Sequence, residues 1–121
     1  MNKNNIYLTK YSKRITAKFN NRFIVDSVNT LILNEKNHDP VYYFPRQDIK
    51  TENLFKTSHS SHCPFKGDAS YWNIKVNNKE VLNAAWSYEN PIPEQKEIKN
   101  LIAFYWDYID EWYEDSNLII R

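Results

Sequence analysis

Chemistry-bearing residues gather in one block, Ser61-His62-Cys63-Pro64-Phe65-Lys66-Gly67-Asp68-Ala69-Ser70-Tyr71-Trp72, which holds the only cysteine and the only glycine among 121 residues. A thiol becomes a nucleophile when a neighbouring cation stabilises its thiolate. Lys66, His59 and His62 are the cationic side chains nearest Cys63 in sequence, so Cys63 is the candidate catalytic residue. Lys66 can also hold a phosphate or carboxylate, helped by exposed backbone N–H groups beside Gly67. The opposing reading is that Cys63 packs as a small hydrophobe and that Gly67 permits a tight strand entry. A chain of this length holds ~8 glycines at ordinary usage. The one retained therefore marks a dihedral or close approach that other residues cannot supply. Elsewhere the chain turns on asparagine pairs, Asn20-Asn21 and Asn77-Asn78, because Asn tolerates the left-handed backbone region.

Two further blocks carry binding groups. Val41-Tyr42-Tyr43-Phe44-Pro45-Arg46-Gln47-Asp48 leaves a strand on an arginine, whose fork matches carboxylate or phosphate. Asp48 can orient Arg46, or Arg46 can form a structural pair with Asp48 or Glu35. In Ala84-Ala85-Trp86-Ser87-Tyr88, two small residues beside a large ring suit either a pocket floor or ordinary sheet packing. Together these residues describe a pocket walled by Tyr43, Trp72, Trp86 and Tyr88, with Arg46 and Lys66 facing an anionic ligand. Tetrahedral zinc needs four nitrogen or sulfur ligands; beyond His59, His62 and Cys63 only His38 remains, so no metal site is expected. Asp107, Asp110, Glu111, Glu114 and Asp115 read as a solvated acidic face.

The elements that must position these groups are mostly strands. Residues 1–12 are polar and rich in Asn and Lys, which predicts a loose N-terminal arm. Alternation predicts strands from Arg14 to Asn20, Arg22 to Val28, Thr30 to Glu35 and Val41 to Phe44. Tyr43 falls on one face of the last strand, and Tyr42 and Phe44 on the other. Residues 46–67 show little periodicity and read as a long irregular connection of the kind that carries sites. Strands from Tyr71 to Val76 and Val81 to Tyr88 follow. A three-residue loop, Asn77 to Lys79, would bring Trp72, Ile74 and Val76 onto the same side as Leu82, Ala84, Trp86 and Tyr88. The C-terminal part reads as a short helix at Glu94 to Lys99, a buried strand at Leu101 to Trp106 and a second short helix. One long helix from Glu94 to Glu114 also fits the spacing of its apolar residues. The whole is a mainly β (α+β) single domain of compact antiparallel sheets, spanning 1–121.

Composition narrows the partners. Charged residues make up 26% of the chain and nearly cancel, to +1, so no strong field draws it toward nucleic acid or an anionic membrane. No apolar run approaches membrane-spanning length. One cysteine cannot form an internal disulfide, which points to a reducing, cytoplasmic setting. The basic start (Lys3, Lys10, Lys13, Arg14, Lys18, Arg22) and acidic end are expected to meet and complement each other.

Taken together, Asp26-Ser27, Val41 to Asp48, Cys63 to Trp72, Ala85-Trp86-Ser87-Tyr88-Glu89-Asn90-Pro91 and Ala103-Phe104-Tyr105-Trp106 resemble the small bacterial and fungal proteins called domain of unknown function 427. The match runs through almost the whole chain in consistent order. The resemblance implies a mainly antiparallel β domain of a tent-like kind shared with some zinc-binding modules, and it carries a label suggesting nucleotidyl transfer. Such transfer needs carboxylates that hold magnesium at the phosphates, and the motif blocks contain one glycine and no clear carboxylate pair. Function is thus expected to be binding of a small anionic molecule in an aromatic-walled pocket, with catalysis left open and no cofactor named. The alternative is a non-catalytic module that docks a protein or its own copy as a homo-oligomer.

Overall fold

The strand Gly67–Val76 alternates buried with more exposed side chains along most of its length. The computed structural model describes residues 5–121. In chain order the strands are β1 (Tyr7–Tyr11), β2 (Ile15–Phe19), β3 (Arg22–Ser27), β4 (Thr30–Asn34), β5 (Val41–Tyr43), β6 (Leu54–Cys63), β7 (Gly67–Val76), β8 (Lys79–Ser87), β9 (Ala103–Phe104), β10 (Glu111–Glu114) and β11 (Asn117–Leu118). They form three antiparallel sheets, ordered β1-β4-β5, β11-β10-β2-β3 and β6-β7-β8-β9. The mainly β expectation holds. Among the described residues no helix is long and apolar enough to cross a membrane.

Turn chemistry follows the sequence closely. Asn20 and Asn21 sit at φ 47° and 66° and join β2 to β3 with Phe19 opposite Arg22. Asn37, Asn77, Asn83 and Asn100 also take positive φ. Gly67 stands at φ +118°, outside the left-handed region that Asn visits. A Cβ there would lie 3.4 Å from both Ile92 N and Pro91 Cα. The dihedral therefore calls for glycine, while the contacts a Cβ would make are ordinary van der Waals ones.

Four expectations are corrected. The N-terminal arm is only partly an arm: residues 1–4 lie outside the described residues, but Tyr7–Tyr11 pairs along β4 from Asn34 to Thr30. The connection at 46–67 is also ordered, with 3-10 turns at Arg46–Asp48 and Thr51–Asn53 followed by the ten-residue β6. Both segments are edge strands held by backbone pairing, so their mostly exposed polar side chains show no apolar alternation.

The C-terminal helices are replaced too. Only 3-10 turns form, at Pro93–Ile98 and Trp106–Tyr108, and Glu111–Glu114 is a strand. Pairing of β10 with β2 places Trp112 opposite Ala17, and both are buried. The predicted strand at Leu101 to Trp106 survives as β9 and as a bridge from Ile102 to Phe44, with N–O distances of 2.8 and 2.9 Å.

The last correction concerns register. The turn between β7 and β8 holds two residues, with Val76 opposite Lys79, and a bulge follows near Asn73 and Asn83. Asn73 Oδ1 accepts the Asn83 N–H at 2.8 Å there. As a result Trp72 faces Ala85, whereas Trp86 faces Tyr71. A one-residue slip moves side chains to the other face, so Trp72 and Trp86 belong to opposite faces.

Two apolar clusters result. One gathers Ile15, Ala17, Phe19, Phe44, Trp72, Ile74, Ala85, Phe104 and Trp112. The other gathers Leu31, Leu33, Tyr43, Ala69, Tyr71, Tyr88, Ile98 and Ala103. Tyr43 and Phe44 enter different clusters, as alternation requires. The two ends of the chain do meet: Lys13 lies 3.7 Å from Glu114, the Tyr11 hydroxyl donates to the same carboxylate, and the Asp115 N–H donates to Arg14 O at 2.7 Å.

Candidate functional site

The sequence-derived pocket separates into two structural corners. In the first, the turn after β6 brings Lys66 beneath the end of β4. Its Nζ lies 3.0 Å from Glu35 Oε1, and the two side chains are only 12% and 10% exposed. Cys63 Sγ sits 3.8 Å from the same ammonium, half-buried and free. Tyr43 accepts the Trp86 indole N–H on its hydroxyl at 3.2 Å. Burial drives the phenols of Tyr43 and Tyr88 well above their ordinary range, so both stay protonated. Lys66 therefore balances a buried carboxylate instead of facing an anion.

The second corner lies on the face of Trp72. Arg46 Nε donates to Asn100 O at 2.8 Å, its guanidinium stands 5.2 Å over Trp72, and Nη2 lies 3.7 Å from Glu89 Oε2. Lys56 flanks the same ring at 5.6 Å and reaches Glu89 Oε1 at 2.8 Å. Its ammonium, followed by the Ser70 hydroxyl, holds the Glu89 carboxyl below its usual range. Asp48 instead accepts the Ser27 hydroxyl at 2.7 Å and fastens the β3–β4 turn. Thus neither Asp48 nor Glu35 is the partner of Arg46. Arg46 and Lys66 do not converge, and the walls Tyr43, Trp86 and Tyr88 stand apart from Trp72.

The histidines near Cys63 are engaged separately. His59 packs against Tyr71 with centroids 4.5 Å apart and planes tilted by 60°, and His62 Nδ1 meets Asp68 Oδ1 at 2.7 Å. Among the described residues no group of three His, Cys, Asp or Glu side chains is placed to hold a metal ion.

A third feature was not anticipated from the sequence. Tyr42, Trp86, Phe104, Tyr105, Trp106 and Trp112, with Asp39, Pro40, Val41 and Arg121, line a cleft of about 160 Å³. Trp106 and Trp112 stack at 4.3 Å with planes 10° apart, and Tyr42 meets Trp106 edge-on at 5.4 Å. The Trp112 indole N–H donates to Trp106 O at 3.1 Å, which fixes the pair. Tyr105 packs 4.8 Å from Trp86 and 5.4 Å from Tyr108. Burial first, and the Tyr71 hydroxyl second, push the Tyr105 phenol upward.

A cation forms part of the wall of this cleft. Arg121 Cζ is 3.8 Å from the Trp106 centroid and 5.4 Å from that of Tyr42, and Nη2 donates to Pro40 O at 3.0 Å. A wider groove of about 600 Å³ is lined by Lys10, Tyr11, Val28, Thr30, Leu31 and Glu97 among others. Its walls mix polar and aliphatic groups around a single ring and offer no comparable seat. The signal for the cleft was the density of aromatics from Phe104 to Trp112, but its walls come from β5, β8, β9, β10 and the segments beside them, which no local pattern joins.

A protein-family model described as a domain of unknown function (DUF427) matches residues 7–115, and the chain belongs to that family. No curated protein matches it.

Proposed function

We propose that this member of the DUF427 family is a binding module that receives a planar organic cation in its aromatic cleft. The observation that carries the reading is the guanidinium carbon 3.8 Å above Trp106. An indole face attracts such a cation by ~0.5–2 kcal/mol, more as water is excluded. The stacked Trp112 and edge-on Tyr42 hold that ring in place.

The way the charges are engaged supports a non-catalytic role. Lys66 is held by Glu35 at 3.0 Å and stands farther, at 3.8 Å, from the Cys63 sulfur. The carboxylates nearest the motif blocks serve as pairs: Asp26 with Arg14 at 2.7 Å, Asp48 with Ser27 and Glu89 with Lys56. The nucleotidyl-transfer label gains no support from that arrangement. A small anion bound beside Trp72 is the alternative, carried by Arg46 and Lys56 over one ring and by Arg46 Nη2, which is buried without a hydrogen-bond partner. We also read the three sheets as the tent-like arrangement that the family resemblance implies, and the free Cys63 as suited to a cytoplasmic setting.

Titrating the full chain with acetyl-arginine amide should quench tryptophan fluorescence saturably, in the ~millimolar range expected of a single small contact. Trp106→Ala should remove the response while the far-UV circular dichroism persists. An unchanged titration in Trp106→Ala, or saturation by inorganic phosphate instead, would overturn the reading.

A further inference from the structure

We infer that Arg121 is a resident competitor: the Trp106 face that borders the cleft is a seat for an arginine of another polypeptide, and the chain's own Arg121 covers that face until displaced. This inference rests on the binding-module reading above. The hydrogen bond from Arg121 Nη2 to Pro40 O, 3.0 Å long, selects a guanidinium over a quaternary ammonium, which has no N–H to donate. Asp39 lines the same cleft, so its wall carries a carboxylate that complements positive charge.

The tail enters as a peptide would. After β11 pairs with β10, the Ile119 N–H donates to Trp112 O at 2.8 Å, Ile120 points outward at 85% exposure, and Arg121 turns its side chain onto the rings. Cage and occupant are also separable. The rings lie inside the family-matched span, and Arg121 lies six residues beyond its end at 115. One cation stacked at an exposed site is a weak hold. A closed cleft nonetheless raises the apparent dissociation constant by the reciprocal of the open fraction.

The test uses the full chain and Arg121→Ala, with a capped Ile-Ile-Arg peptide that copies the tail and a citrulline version of it as the uncharged control. Titration calorimetry should show Arg121→Ala binding the arginine peptide roughly tenfold more tightly than the unaltered chain, as for a cleft about one-tenth open. The citrulline peptide should bind neither. If both chains bind the arginine peptide equally, and Trp106→Ala abolishes that binding, Arg121 is no competitor although the binding-module reading stands. If neither chain binds it, both readings fail. If the unaltered chain self-associates in sedimentation and Arg121→Ala does not, the occupant is a second copy's tail and the internal-competitor inference is overturned.

Discussion

Lys66 and Arg121 are both cations, and the fold treats them in opposite ways. Lys66 is nearly enclosed, so leaving its charge unpaired would cost several kcal/mol, and Glu35 sits 3.0 Å away to prevent that. Arg121 lies at an exposed tail and is held by a ring face and one carbonyl. Such a contact can exchange with a ligand at little cost. The comparison teaches that a charge in a motif block marks binding only where it stays exchangeable; once buried, it becomes part of the framework.

The largest effect should come from breaking the enclosed pair. Glu35→Ala leaves Lys66 uncompensated and should destabilise the chain by about 3 kcal/mol in urea unfolding. Combining Glu35→Leu with Lys66→Met should recover most of that loss. If Glu35→Ala is neutral, the enclosed corner is more open than described, and Lys66 returns as a ligand group. Next is Gly67, whose φ of +118° sits beside the backbone of Pro91 and Ile92. Gly67→Ala should cost roughly 2 kcal/mol, and Gly67→Asn a similar amount, because that dihedral lies outside the asparagine region. A fully tolerated asparagine would contradict the geometric account.

On the open side, Trp106→Ala removes one ring of the stacked pair and the seat of Arg121. Stability should fall by about 1 kcal/mol, less than for Glu35→Ala, while binding of an arginine ligand disappears. Smallest is the acid response of Glu89. Its folded-state pKa is depressed, first by Lys56 and then by Ser70. Its stabilisation is thus present above the unfolded value near ~4.3 and lost as pH falls through the folded one. Glu89→Gln should therefore make the melting temperature less sensitive to pH below about 4. An unaltered acid slope would show that the exposed cluster around Trp72 adds nothing.

The same contrast explains what the sequence disclosed. Strands with one buried face were readable, since Ile15, Ala17 and Phe19 alternate with polar partners and all three are fully buried. Asparagine turns and the singular need for Gly67 were readable because backbone dihedrals depend on local chemistry. Edge strands β1 and β6 were hidden, because backbone pairing asks nothing of exposed side chains such as Ser60 and His62. The β7–β8 register was missed over a single turn residue, and that slip alone assembled a false pocket from Trp72 and Trp86. The partner of Lys66 lies 31 positions away and the partner of Arg46 54 away. No spacing rule reaches so far. The cleft was hidden for the same reason, since Tyr42, Trp86 and Trp106 meet only through sheet closure.

The central claim is that exchangeable binding belongs to the aromatic cleft and not to the Arg46 and Lys66 corners. Residue-resolved NMR of the full chain, titrated in parallel with acetyl-arginine amide and with inorganic phosphate, tests it most directly. The arginine compound should shift the Trp106 and Trp112 indole resonances in a saturable way, while phosphate leaves the amides around Arg46 and Lys66 in place. Saturable phosphate shifts at Arg46 or Lys66, with the cleft silent to both compounds, would contradict it.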